Sequence, residues 1–418
     1  MTRKRQIESN ELSSTKKPAK QKPITFDEVA EIIQTGDSDK LREIIESGAV
    51  SDINMHQNHG FGSTILMVAC EGGFIECARV LLHHNADINY ISYDGSVLKS
   101  ACLSRDSNML EFIVKHGAVL NDSILLDLFS SGEIVRNTEI ATKLVGYIQN
   151  VNLEEHRETS LVKVCSTGNT VVLQLLLDRG ALFDRQRSHA LELAARNGHV
   201  AVIKILLGIV ANDLPPYKGA IKDALDTAAR YNYIEVAKCI IEFGTDLDSL
   251  NHALVRTVLR NRLEIAALLL ESGANLNTVM PNYASSSWML ACQSTYPHIV
   301  QLFLDRGADP NAVGGRGESA LHAALPHYDT VMILLRSGAD PNIAHAATGD
   351  TALMKAALDL NVDLVRLLLE HGADVTQVNR EGKSVLDMLG RTRKYGEVRE
   401  LCAQYMDCNK PGAKLLLK

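Results

Sequence analysis

TALMKAALDLNVDLVRLLLEHGADV, residues 351–375, sets out the unit from which most of the chain is built. It opens on Thr351, whose hydroxyl can accept a hydrogen bond from the free backbone N–H groups of a helix starting just after it. Small residues at Ala356 and Ala357 let that helix lie close to a neighbour. Val365, Leu368 and Leu369 then recur at the spacing of a second helix with one buried face. Gly372 permits the left-handed turn that ends it. The pattern aligns without gaps at 64–89 (TILMVACEGGFIECARVLLHHNADIN) and at 286–311 (SSWMLACQSTYPHIVQLFLDRGADPN). The closing glycine or its substitute falls at Gly48, Asn85, Gly117, Gly180, Val210, Gly244, Gly273, Gly307, Gly338 and Gly372. These positions lie 29 to 37 residues apart except for one gap of 63, which reads as two units, one without its glycine. The period is about 33 residues.

On this repetition the sequence resembles the ankyrin-repeat family, whose unit is a β-turn followed by two antiparallel helices and whose signature includes T-P-L-H-x-A. No unit carries that block intact; SALHAAL (319–325) and TALMKAA (351–357) come nearest. The resemblance covers roughly residues 25–409 and implies an all-α solenoid of about 11–12 helix-turn-helix units. Such a unit buries too little apolar surface to fold alone, so neighbours must stack and the ends need caps. FDEVAEIIQTGDSDKLREIIESGA (26–49) reads as the first cap and VRELCAQYM (398–406) as the closing helix. SSGEIVRNTE (130–139) and Asp213–Tyr217 read as insertions. The expected organisation is a basic arm over 1–24, the solenoid over 25–409 and a short tail over 410–418.

Composition agrees with this class. Of 418 residues 46% are hydrophobic and 5% aromatic, which suits a core of Leu, Ile, Val and Ala. The net charge of -7 is unevenly spread. Residues 1–23 hold seven Lys/Arg against Glu8 and Glu11, a balance of +5 that leaves -12 for the rest. A body of that sign has no general field for nucleic acid. No apolar run reaches the eighteen or so residues a membrane-spanning helix needs, and no secretory signal opens the chain. The expectation is a soluble protein of the nucleus and cytoplasm. The eight cysteines form no CxxC pair, and Cys70, Cys102, Cys165 and Cys292 share one slot where other units place alanine, so they read as buried free thiols.

Catalytic and cofactor chemistry finds no support. The histidines, such as His83, His84, His322 and His327, lack a second ligand cluster for zinc. GGRG (314–317) lacks the Lys-Ser/Thr of a phosphate loop and follows no strand. Trp288 occupies a slot that other units fill with Leu66, Leu321 or Leu353, a core position that its ring should bulge locally. No cofactor, metal or catalytic residue is expected.

The functional signals are those of binding. Lys4 and Arg5, a ten-residue spacer, then Lys16, Lys17 and Lys20 have the layout of a bipartite nuclear-import signal, which implies an import carrier as one partner. The alternative is a solvated arm. Family resemblance places a partner on the turn tips and first helices. There Arg196 with Asn197, Arg230 with Tyr231, and Leu259 with Arg260 follow the small-residue pairs of three consecutive units. These six residues are the candidate partner-binding stripe, suited to an acidic or phosphorylated segment with an apolar anchor; the bland alternative is a solvated helix face. Asn89, Asn277 and Asn342 end turns with a leucine eight residues before them, similar to ankyrin proteins modified by an asparaginyl hydroxylase. A turn asparagine bonding its own backbone is the competing reading. Val398, Cys402 and Met406 resemble the box that docks an elongin-type subunit, so a substrate-recognition subunit of a ubiquitin ligase stands as the alternative to a plain adaptor. An enzyme with an unrecognised loop site is the remote third reading.

Overall fold

A computed structural model describes residues 24–57, 62–93, 95–104, 106–152, 159–182, 187–210, 218–280, 285–390 and 393–408. The import signal, the segment 211–217 and the tail from 409 lie outside the described residues.

The local rules of the unit hold atom by atom. Thr64 Oγ1 accepts from the Met67 N–H at 3.3 Å, Ser286 Oγ from Met289 at 3.2 Å and Thr351 Oγ1 from Met354 at 3.3 Å, so these three first helices start on a hydroxyl cap. Many second helices close on a left-handed residue, for example Asn85 (φ 63°), Gly117 (φ 101°) and Gly372 (φ 91°), whereas the one ending at Tyr147 runs into an extended Ile148. A Cβ added at Gly117 or Gly372 would meet nothing within 4 Å. The demand there is for the dihedral and not for space, which is why asparagine serves at position 85. The buried alanine that follows returns its N–H to the helix, Ala86 to Leu81 O and Ala373 to Leu368 O, both at 3.0 Å.

The chain divides into two compact units. The first runs to Val164 and includes Asn169–Leu182. Its helices pair as α1 (Phe26–Gln34) with α2 (Ser38–Glu46), α3 (Ile65–Glu71) with α4 (Ile75–His83), and α5 (Val97–Leu103) with α6 (Ser107–Lys115). A two-stranded finger, β1 (Ile91–Ser92) against β2 (Gly95–Ser96), precedes α5 with Ile91 opposite Ser96. Next come α7 (Asp122–Ser130), α8 (Gly132–Arg136) and α9 (Thr138–Tyr147), then α10 (Ser160–Cys165) with α11 (Thr170–Asp178). The stretch 130–139, read as an insertion, supplies α8, with Ile134 and Val135 in the core. Two apolar residues inside a polar stretch are too few to show a period, so this helix was invisible in the sequence.

The second unit contains seven helical pairs among the described residues. They are α12 (Arg187–Arg196) with α13 (Val200–Val210), α14 (Lys218–Tyr231) with α15 (Ile234–Gly244), and α16 (Leu247–Leu259) with α17 (Leu263–Glu271). After a finger formed by β3 (Val279–Met280) and β4 (Ser285–Ser286) come α18 (Ser287–Gln293) with α19 (Pro297–Asp305), α20 (Ala320–Ala324) with α21 (Tyr328–Arg336), α22 (Ala352–Leu358) with α23 (Val362–Glu370), and α24 (Val385–Leu389) with α25 (Gly396–Cys408). Equivalent packing repeats throughout: second helices α19, α21, α23 and α25 touch in sequence, as do first helices α12, α14 and α16. Ala228, Ala291, Ala356, Cys165 and Cys292 are all fully or almost fully buried at the first-helix slots. Trp288 is also 0% exposed; its indole N–H donates to Asp309 O at 3.0 Å, so the oversized ring is used to tie its helix to the next turn.

The central repeats depart from the unit. α14 has 14 residues and α16 has 13, against 5 to 7 for α18, α20 and α22. Only Thr245 and Asp246 separate α15 from α16, where residues 272–286 separate α17 from α18. Here the finger is replaced by extra helical turns, with Asp246 Oδ1 capping α16 through the Ser249 N–H at 2.9 Å.

In several repeats the turn between paired helices also uses a left-handed residue, Gly73, Gly198, Asn232 and Asn261 among them, and in one repeat it is Leu360 at φ 59°. A leucine there costs about 1–2 kcal/mol of backbone strain. Leu360→Asn should therefore raise stability by roughly 0.5–1 kcal/mol, the remainder being lost with the half-buried leucyl side chain. Chemical denaturation would read this; a lower midpoint for the variant would show that leucine packing outweighs the strain.

Candidate protein-interaction surface

The six stripe residues sit where the first helices of three adjacent repeats end. Arg196 is the last residue of α12, Arg230 and Tyr231 end α14, Leu259 ends α16 and Arg260 caps it. Cations at this end of a helix are favoured by its dipole. The structure separates the six by role. Arg196 is half-buried and donates to Glu192 Oε1 at 2.6 Å on its own helix, and the Asn197 amide donates to Leu193 O at 3.0 Å. Both are committed locally. Arg230 and Arg260 are exposed and have no ion-pair partner among the described residues, with Tyr231 44% and Leu259 41% exposed beside them.

Two further residues belong to this edge and were missed. Tyr233 (37% exposed) and Leu263 (39%) follow the left-handed Asn232 and Asn261 and bring the row of exposed apolar side chains to four. Tyr233 also leans on the preceding turn: a Cβ at Gly198 would lie 2.7 Å from its ring. Arg262 donates to Arg230 O at 3.4 Å across the same joint. The signal was present, since each directly precedes or starts a second helix, one turn ahead of the buried stripe.

Below this edge the two long helices are joined by charge. Lys222 Nζ lies 2.8 Å from Asp248 Oδ2, and Lys218 Nζ 3.7 Å from Asp246 Oδ2. The buried Asp226 of α14 places Oδ2 2.5 Å from His252 Nδ1 and 3.8 Å from Arg256 Nε of α16. Burial pushes the Asp226 carboxyl above its ordinary range, against the pull of His252 and Arg256 in the other direction. The cluster fixes α14 against α16 and so sets the spacing of Arg230 and Arg260.

The three turn asparagines differ among themselves. Asn89 Oδ1 accepts from the Val119 N–H at 2.8 Å and its amide donates to Gly117 O at 3.4 Å. Asn342 makes the equivalent pair with Asp374 N–H (2.7 Å) and Gly372 O (3.1 Å). These side chains stitch one repeat to the next; the local Asx bond is made by Asp87 and Asp340 to the asparagine N–H groups, each at 2.9 Å. Asn277 makes the local bond, to Asn275 Oδ1 at 2.9 Å, and among the described residues no bridge to the following repeat. The bland sequence reading thus holds the right residues with the wrong partner.

Thiol and histidine chemistry is quiet here. Burial pushes Cys70 and Cys102 up to about 12 and Cys402 to about 11, and raises Cys165 and Cys292 further, so the thiolate that would react is suppressed. His322 Nε2 faces Asp350 O at 2.9 Å and Nδ1 faces Ser319 Oγ at 2.7 Å. A carbonyl only accepts, so Nε2 carries the proton and Nδ1 accepts from the hydroxyl. Burial lowers the His322 pKa and keeps this neutral form. Among the described residues no group of three or more His, Cys, Asp or Glu could hold a metal ion, and no helix is long and apolar enough to cross a membrane.

A family profile described as ankyrin repeats (3 copies) matches residues 30–124, 133–215, 288–379 and 321–411. The chain belongs to the ankyrin-repeat family. Ankyrin repeats are protein–protein interaction modules. Among curated proteins the chain is 24% identical over 82% of its length to the ankyrin repeat and KH domain-containing protein mask-1 of Caenorhabditis elegans, covering 14% of that protein. It is 41% identical over 25% of its length to protein PhlB of Serratia liquefaciens, covering 47% of it. With ankyrin repeat and SOCS box protein 6 of Homo sapiens it shares 29% identity over 50% of the chain and 47% of that protein. The ankyrin chain therefore spans less than half the length of these relatives.

Proposed function

We propose that these ankyrin repeats form a non-catalytic adaptor whose partner segment docks at the ends of α14 and α16. The observation that carries this reading is the pair Arg230 and Arg260, without ion-pair partners among the described residues and flanked by exposed Tyr231, Tyr233, Leu259 and Leu263. In a body of net charge -12 outside the first 23 residues, such a place selects a segment bearing Asp, Glu or phosphate together with an apolar anchor. Affinity purification with the intact chain beside Arg230→Ala/Tyr231→Ala tests it: proteins captured equally by both bind elsewhere.

A second reading, substrate recognition for a ubiquitin ligase, is favoured by the likeness to ankyrin repeat and SOCS box protein 6. Against it, Val398 and Cys402 of α25 are buried on the preceding repeat, and Arg399 holds the helix there through Leu386 O and Gly390 O. Met406 is 42% exposed. Docking an elongin-type subunit through this box would require α25 to leave its place; capture of elongin by the intact chain would support the ligase reading over the plain adaptor.

The basic clusters at Lys4, Arg5, Lys16, Lys17 and Lys20 supply the nuclear half of the proposal. With passive diffusion blocked by a bulky fusion, Lys16→Ala/Lys17→Ala/Lys20→Ala should abolish nuclear accumulation and leave the melting temperature unchanged. A fusion still concentrated in the nucleus would end the import assignment.

A further inference from the structure

Two neighbouring first helices carry the same charges in the same slots and pair them differently. On α12, Glu192 and Arg196 stand one turn apart and form an ion pair, Oε1 to Nη2 at 2.6 Å. On α14, 34 residues on in each case, Asp226 and Arg230 offer an acid and an arginine in the same order and at the same spacing. An acid four residues ahead of a base is the favourable order on a helix. The pair nonetheless does not form, and Arg230 is exposed with no ion-pair partner among the described residues. Asp226 Oδ2 lies instead 2.5 Å from His252 Nδ1 and 3.8 Å from Arg256 Nε, both on α16.

Position explains the choice. Asp226 is buried in the joint between the two helices, where attraction is screened less than at the exposed end of α14. The carboxylate is not saturated there. Its other oxygen, Oδ1, is buried without a hydrogen-bond partner among the described residues, and burial holds the carboxyl above its ordinary range in spite of both cations. An acid in that state moves to the next cation within reach once the present ones lose their charge. On its own helix Lys222, one turn before it, is already held by Asp248 at 2.8 Å. Arg230, one turn after it, is open.

We infer that Asp226 is a built-in competitor for Arg230, held off the α14–α16 edge by His252 and Arg256. The inference rests on the adaptor reading of that edge and names what sets its affinity for an acidic segment. His252 and Arg256 are positioning residues that act through Asp226. While they hold it, Arg230 presents its guanidinium fork to a partner's carboxylate or phosphate. With their charges withdrawn, Asp226 takes Arg230 as Glu192 takes Arg196, and Arg260 is left as the one open arginine of the edge.

Labelling of the full chain with phenylglyoxal, which modifies arginine side chains, tests this without a partner when each site is followed by peptide mass spectrometry. His252→Gln/Arg256→Met removes both charges and keeps most of the arginine stem. It should slow the labelling of Arg230 roughly threefold, the scale of a helical ion pair, while Arg260 keeps its rate. Adding Asp226→Asn should return Arg230 to the parent rate, a rescue that a merely structural role for His252 and Arg256 would not give. His252→Gln alone should slow Arg230 less, and it keeps the test decisive if the double variant unfolds, which circular dichroism would report. An unchanged Arg230 rate in a folded variant, or a slowed rate that Asp226→Asn does not restore, overturns the inference. A fluorescein-labelled copolymer of glutamate and tyrosine, acidic with an aromatic anchor, then reads the edge itself by anisotropy. Its affinity should fall roughly fivefold with His252→Gln/Arg256→Met and recover with Asp226→Asn. No binding by the parent chain would count against the adaptor edge, while the labelling rates still decide the competition for Arg230.

Discussion

Leu368→Ala should destabilise the protein by about 2–5 kcal/mol, the range for emptying a leucine from a core that cannot collapse around the gap. Leu368 is 0% exposed on α23, and its carbonyl anchors the closing turn by accepting from Ala373. On one side α23 packs against α21 and on the other against α25. In a chain of repeats stability is a sum of nearest-neighbour terms, so the damage should be local. Amide exchange should accelerate in α21 to α25 and remain near the parent rate in α3 to α6. Acceleration spread evenly from residue 25 to 409 would contradict the nearest-neighbour account, and a loss well below 2 kcal/mol in chemical denaturation would mean that the site relaxes.

Arg230→Ala with Tyr231→Ala should weaken partner binding by roughly 2–4 kcal/mol, about 30- to 1,000-fold in Kd, the scale of an interface hot spot. Arginine and tyrosine together offer a planar fork for carboxylate or phosphate and a rigid ring beside it. Both residues are exposed, so the folded protein should lose less than about 0.5 kcal/mol. The structure sharpens the control. Arg196→Ala removes an arginine already held by Glu192 and should change binding far less than Arg230→Ala. Equal effects from Arg196 and Arg230, or full affinity in a double variant shown to be folded, would move the partner off this edge.

How much of this was legible beforehand follows from distance along the chain. The hydroxyl caps at Thr64 and Thr351, the closing residues Asn85 and Gly372 and the apolar stripe of Val365, Leu368 and Leu369 act within a few residues of themselves, so their chemistry is written in adjacent letters. By itself the sequence determined the repeating helical hairpin, its period and its buried cysteines. Tertiary structure alone decided which charges are free. Arg196 and Arg230 each have a carboxylate one turn before them, yet Glu192 pairs with Arg196 while Asp226 is drawn to His252 and Arg256 of the next first helix and leaves Arg230 without an ion-pair partner among the described residues. Likewise the helical turns that replace a finger before α16 became visible only when Leu250, Leu254 and Val258 found their burial against a neighbouring helix.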